Sequence, residues 1–169
     1  NQMDTEYLFK DLNFKIANNE IVGIYGESGI GKSTLINIMS GLVHPKKGEI
    51  KIDDIPLNMN QLYRLRDLFS VISQNSNIIA DSIRKNIAFG INDEDINEDR
   101  LIQASMKASI YDFIKSLEKG FDSSINEKAF NISGGQKQRV EIARAIYFDR
   151  EFLILDEATN SLDKENEIN

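Results

Sequence analysis

The chain has 169 residues, 41 % of them hydrophobic and 28 % charged, a balance that excludes a wholly disordered or fibrous chain and fits one domain. Lys+Arg 20 against Asp+Glu 27 gives a net charge of −7, so no nucleic-acid partner is expected, since that needs clustered excess Lys and Arg. The absence of Cys excludes a disulfide framework, a thiolate metal site and a Cys nucleophile. No apolar run approaches the ~20 residues that span a bilayer. No basic segment followed by an apolar one opens the chain as an export signal. A soluble piece is expected, and Asn1 to Tyr7 read as the middle of a longer chain.

Apolar and polar residues alternate over 8–16, which predicts a strand. A turn at Asn18-Asn19 leads into a second strand over 20–25, with Ile21, Val22, Ile24 and Tyr25. From about Lys32 the spacing turns helical, and Leu35, Ile38, Met39 and Leu42 form the face expected to be buried. Pro45 and Gly48 punctuate, and 49–53 alternates again as a strand. Residues 68–73 and 152–155 are short apolar runs, the pattern of strands covered on both faces. Between them, 82–148 is mostly helical, with segments over 97–110, 110–117 and 135–148. The acidic run from Asp93 to Asp99 reads as a solvated loop that caps a helix start. This order, strand, glycine loop, helix, then buried strands alternating with helices, is that of an α/β domain with a largely parallel sheet. The helical block would stand as a separate lobe.

Gly26-Glu27-Ser28-Gly29-Ile30-Gly31-Lys32-Ser33 fits G-x-x-x-x-G-K-[ST] in full, after a predicted strand and at the start of a predicted helix. The glycines let successive N–H groups converge on a phosphate, and the helix start adds favourable partial charge. Lys32 would meet the β and γ phosphates, and Ser33 would ligate Mg²⁺. Phe152-Leu153-Ile154-Leu155-Asp156-Glu157 ends a strand in two carboxylates at the sheet edge where ligands bind. Asp156 is placed to hold Mg²⁺, and Glu157 to polarise a water as general base. Ser133-Gly134-Gly135-Gln136 opens a helix with exposed N–H donors, a second anion site or, more plainly, a helix cap with a turn.

These motifs together resemble the nucleotide-binding domain of ATP-binding cassette (ABC) transporters. Ile132-Ser133-Gly134-Gly135-Gln136 is similar to that family's signature, which usually begins with Leu. The resemblance implies an α/β fold, a RecA-like P-loop NTPase with a mostly parallel core, an antiparallel β edge and a helical lobe. The whole of 1–169 would be one ABC ATPase domain, core over 1–74 and 149–169, lobe over about 75–148. It implies ATP and Mg²⁺, with Gly26, Ser28, Gly29, Gly31, Lys32, Ser33 and Thr34 cradling the nucleotide. Gln74 matches the residue that contacts Mg²⁺ and the attacking water. The partner would be a second copy, head to tail, with Ser133, Gly134, Gly135 and Gln136 of one copy over the γ phosphate held by the other. Asp163, in Asn160-Ser161-Leu162-Asp163, would lie at the seam.

The stretch from Ser73-Gln74 through Ile78-Ile79-Ala80-Asp81-Ser82-Ile83-Arg84-Lys85-Asn86-Ile87 to Gly90 is similar to exporter-type members. So are Phe113-Ile114 with Gly120-Phe121-Asp122, and Ala158-Thr159. Glu127 falls where exporters carry an acidic residue, though Lys128-Ala129 replaces the usual Arg-Gly. The implied function is ATP hydrolysis that drives export, on the cytoplasmic side of a membrane and through a transmembrane domain on this or a partner chain. The alternative is a soluble ABC ATPase of translation or DNA-repair type. The switch His and the adenine-stacking aromatic fall outside the chain, His44 reads as a surface residue and Tyr7 is a poor substitute for the aromatic. A low ATPase rate is therefore expected of this chain alone.

Overall fold

The computed structural model describes residues 7–58, 60–73, 77–125 and 132–156. The chain divides into two compact units, Asn1–Tyr63 and Arg64–Asn169.

In the first unit, the strands expected over 8–16 and 20–25 do not form. Among the described residues neither segment has a ladder partner, and Ile21 and Tyr25 are 100 % and 93 % exposed. Alternation fits a segment to a sheet but does not supply the neighbouring strand. Helix α1, Lys32–Met39, forms as expected. It ends at Ser40 with Gly41 at φ 72. Leu42 N–H donates to the Asn37 carbonyl at 2.8 Å and Gly41 N–H to the Ile38 carbonyl at 3.1 Å, the paired bonds of a Schellman end. The expected apolar face is displaced: Ile36 is the buried residue of α1, and Leu42 lies past the helix end and is exposed. The strand expected over 49–53 is one arm of a hairpin, β1 (Lys51–Ile52) antiparallel to β2 (Ile55–Pro56). Asp53 and Asp54 turn it at φ 50 and 65, the left-handed pair of a type I′ turn, which Asp tolerates.

Helix α2, Leu62–Leu68, runs across the division and into β3, Phe69–Ile72. β3 pairs in parallel with β4, Phe152–Leu155, from Phe69 opposite Phe152 to Ile72 opposite Leu155. The Phe69 and Phe152 rings stack at 4.8 Å. The expected burial on both faces is half met: Ile72 is 2 % exposed, whereas Val71, Leu153 and Leu155 are exposed. α6 packs against β3, and that contact covers one face of the pleat.

Between the two strands lie α3 (Ile83–Ile87), α4 (Glu98–Lys107), α5 (Tyr111–Ser116) and α6 (Gly134–Phe148), as the helical spacing predicts. Their inward residues Ile83, Ile87, Leu101, Ile110, Ile114 and Val140 make the core. Asn97 caps α4 by accepting from Arg100 N–H, with Glu98 and Asp99 in the first turn; this is the role read from the acidic run. Tyr147 Oη accepts from Asn97 N–H at 3.1 Å and ties α6 to α4. Arg84 of α3 pairs with Glu98 and Asp122. Burial works against its charge, but bonds to those carboxylates hold its pKa above the ordinary value.

Residues 77–82 have almost no backbone ladder of their own. Fully buried Asn86 supplies one: its Oδ1 accepts from Ile79 N–H at 2.9 Å, and its Nδ2 donates to the Ile79 and Ser82 carbonyls at 3.1 and 2.9 Å. Asn86→Ala strands these groups, so we expect a loss of about 3 kcal/mol. Denaturant unfolding measures it, and a loss below about 1 kcal/mol would show that water replaces the amide.

Candidate functional site

Residues 26–33 belong to the first unit. Ile30 N–H closes a turn on the Glu27 carbonyl at 3.5 Å. Gly29 and Gly31 take φ 82 and 109, left-handed values that cost other residues strain. The two glycines are needed for different reasons. A Cβ on Gly31 would come within 2.8 Å of Leu8 Cδ2 and 2.9 Å of Phe9 Cζ, whereas a Cβ on Gly29 would meet nothing within 4 Å. Gly31 serves close packing, and Gly29 an open loop surface.

Gly31 is also the N-cap of α1. It offers no side-chain cap, and no acidic residue stands in the first turn. The N-cap therefore places no side-chain oxygen over the helix start, and the positive end of the helix dipole can meet an anion. Lys32 Nζ folds back to donate to the Gly26 and Glu27 carbonyls, both at 2.9 Å. Phosphate oxygens make stronger, charge-assisted bonds than neutral carbonyls. Ser28 and Ser33 are exposed and Thr34 is half-buried.

In the second unit, Asp156 follows β4 directly, and its N–H donates to the Ile72 carbonyl at 2.9 Å, extending the parallel pairing by one residue. The carboxyl ends of β3 and β4 thus emerge side by side; in open α/β sheets, ligands bind outside such carboxyl ends. Gln74 and Glu157, the residues expected to follow at this edge, lie outside the described residues, as do Glu127 and Asp163.

Ser133 caps α6 through a reciprocated box: its Oγ accepts from Gln136 N–H at 3.2 Å, and its own N–H donates to Gln136 Oε1 at 2.8 Å. The plain reading of this motif as a helix cap is therefore met. Yet Ser133 and Gly134 are exposed, and a Cβ on Gly134 would meet nothing within 4 Å, so the helix start is open. Gly135 and Gln136 are half-buried. His44 is exposed, as expected; Tyr7 is exposed too, with Lys47 Nζ 5.3 Å from its ring centroid.

Three side chains to which the sequence reading gave no structural role, Asn86, Glu141 and Arg144, meet around residues 77–79. Arg144 Nε donates to the Asn86 carbonyl at 2.6 Å, and its two Nη atoms reach the Asn77 carbonyl at 3.1 Å. Its guanidinium lies 5.5 Å from the Phe89 ring centroid. Burial lowers its pKa below the ordinary value, and the Glu141 charge works the other way. The available signal was Glu141 and Arg144 one turn apart on a helix that buries Val140, Ala143 and Tyr147.

A family profile described as ABC transporter matches residues 9–160. ABC transporter B family member 17 of Arabidopsis thaliana is 39 % identical over 160 residues, 95 % of this chain and 13 % of its own length. The ATP-dependent lipid A-core flippase of Idiomarina loihiensis is 38 % identical over 166 residues, 98 % of this chain and 28 % of its own. Among solved structures, that of a bacterial Atm1-family ABC exporter with ATP bound superposes with a TM-score of 0.73 at 34 % identity, over 83 % of this chain and 24 % of that one. The chain thus spans only a small part of each of these proteins.

The two loop glycines separate by substitution. Gly29→Ala brings left-handed strain alone, about 1–2 kcal/mol, and Gly31→Ala adds the collision with Leu8 and Phe9. Unfolding of both variants should rank Gly31→Ala as the more destabilised; equal losses would show that the first-unit packing does not constrain Gly31.

Proposed function

The chain belongs to the ABC transporter family, and from that premise we propose that it is the ATP-binding and ATP-hydrolysing motor domain of an exporter-type transporter. The observation that carries this reading is the loop at 26–33, which opens α1 with no side-chain cap and with Lys32 held over loop carbonyls. A triphosphate can take over both roles: its oxygens accept from the leading N–H groups and draw the Lys32 amine off Gly26 and Glu27. The relative named as an ATP-dependent flippase and the exporter structure with ATP bound support the same activity and direction of transport.

In this reading Gly26, Ser28, Gly29, Gly31 and Thr34 shape and complete the cradle, and Lys32 balances the β and γ phosphates. Among the described residues no group of three or more His, Asp and Glu could hold a metal. The proposed protein ligands are the Ser33 hydroxyl, the Gln74 side chain and the Asp156 carboxylate. Such a sparse oxygen set suits Mg²⁺, which is bound through one or two carboxylates together with substrate phosphates. Bound there, Mg²⁺ would neutralise phosphate charge. Glu157 polarises the attacking water as general base. The exposed start of α6 serves as a lid: Ser133, Gly134, Gly135 and Gln136 of one copy close over the γ phosphate held by a second copy, head to tail, with Asp163 at the seam. To bind, Ser133 and Gln136 exchange their mutual capping bonds for bonds to phosphate.

The catalytic core is assigned to 1–74 and 149–169 and the helical lobe to about 75–148. No described helix is long and apolar enough to cross a membrane; the motor is proposed to act on a transmembrane domain from the cytoplasmic side.

Thermal unfolding with and without Mg-ATP tests the proposal. At a hundredfold excess over Kd, nucleotide should stabilise the protein by about 2.7 kcal/mol. Lys32→Ala should abolish that shift, and Glu157→Gln should keep it while turnover falls about 10²–10⁴-fold. A wild-type protein that Mg-ATP does not protect would rule the reading out.

A further inference from the structure

α6 carries residues 133–136 at its start and, further along, presents two charged side chains to the backbone of a single residue, Asn77. Asn77 N–H donates to Glu141 Oε1, and the Asn77 carbonyl accepts from both Nη atoms of Arg144. The Asn77 side chain donates to Ser73 Oγ at 2.8 Å, beside the end of β3. Arg144 also grips Asn86, which holds both polar backbone groups of Ile79. The chain leaving β3 is thus hung on α6 and α3 by side chains.

Glu141 is the unexpected member of this bracket. It is 5 % exposed, where a carboxylate is costly to bury unless it is hydrogen-bonded and balanced by charge. A small apolar residue would suit both the helix and the core. What the carboxylate adds is a fixed acceptor for the Asn77 N–H, one helical turn from the Arg144 donors that hold the carbonyl of the same residue.

We infer that Glu141 is a positioning residue for the proposed ATPase: it fixes the Asn77 backbone, three residues past Gln74 in sequence, to the helix that bears the proposed lid. The lid and the chain leaving β3 then shift as one body, so closure of one copy over the nucleotide of the other carries this segment with it. The inference rests on the ATPase reading. The plainer role for Glu141 is to balance the charge of Arg144. The two roles part at Glu141→Gln, which keeps an acceptor oxygen but loses the charge.

The experiment measures ATP turnover across ATP concentration in the intact protein, together with hydrogen exchange at the Asn77 amide. Glu141→Gln should stay within about threefold of wild type and keep the amide protected, whereas Glu141→Ala should lose protection and about tenfold in kcat, with KM for ATP within about twofold. If the Ala variant fails to fold, Glu141→Met fills the volume without a comparable acceptor and takes its place, with the same losses expected. Gln and Ala variants that are equally slow would establish charge balance and overturn the inference. So would an Ala or Met variant that matches wild type, or a loss confined to KM. If wild type itself shows no turnover, the ATPase reading falls and this inference with it, an outcome distinct from the others because it needs no variant.

Discussion

The main-chain N–H groups at the start of a helix have no partner within the helix, and this chain resolves that constraint in opposite ways at its two glycine-marked helix starts. At α1 the N-cap supplies no side-chain oxygen, and Gly31 takes a left-handed backbone in place of Ser, Thr, Asp or Asn. A capping side chain there would be worth about 1 kcal/mol. Forgoing it leaves a concentrated set of donors with Lys32 beside them. At α6 the cap is complete, since Ser133 and Gln136 satisfy each other. In the proposed function the first helix start takes an anion; the second is self-sufficient and would engage one only by exchanging local bonds. That asymmetry suits a primary phosphate site and a conditional lid.

How far the sequence discloses the structure depends on the range of the interaction involved. The loop at 26–33 was legible because its determinants are local: glycines where φ is positive, a Lys and a hydroxyl at fixed offsets. The helices between β3 and β4 were legible because a repeat of 3.6 marks a core-facing stripe, and β3 and β4 because short apolar runs bounded by polar residues mark them. The segments at 8–16 and 20–25 alternate as strands do, but alternation carries no information about which neighbour supplies the ladder. The hairpin at Asp53-Asp54 lay between those cases. Its turn is local, yet two Asp residues in sequence do not announce a left-handed pair as Asn-Gly would. The face of α1 was misplaced because the helix stops at Met39, and Leu42, at the next matching position, falls in its Schellman end. The bracket around Asn77 was out of reach, as its partners stand 64 and 67 residues away in the chain.

α6 joins these two kinds of determinant. Its apolar residues Val140, Ala143 and Tyr147 anchor it in the core of the helical block, which burial alone would secure. Its charged residues do something that burial cannot: they set the position of one residue's backbone. Hydrogen bonds to charged groups contribute about 1.5–3 kcal/mol each when both partners are present, and removal of one partner leaves the other buried at greater cost. Such a bracket is therefore stiff in one arrangement and unfavourable in any half-broken one. Apolar contacts between the same elements would tolerate sliding, because their free energy depends on area rather than direction. If, as proposed, the exposed start of α6 acts on a nucleotide and its motion reaches residues 77–79, the directional kind is the one required. The Glu141 and Arg144 side chains supply it with one acceptor and one forked donor on the backbone of the same residue.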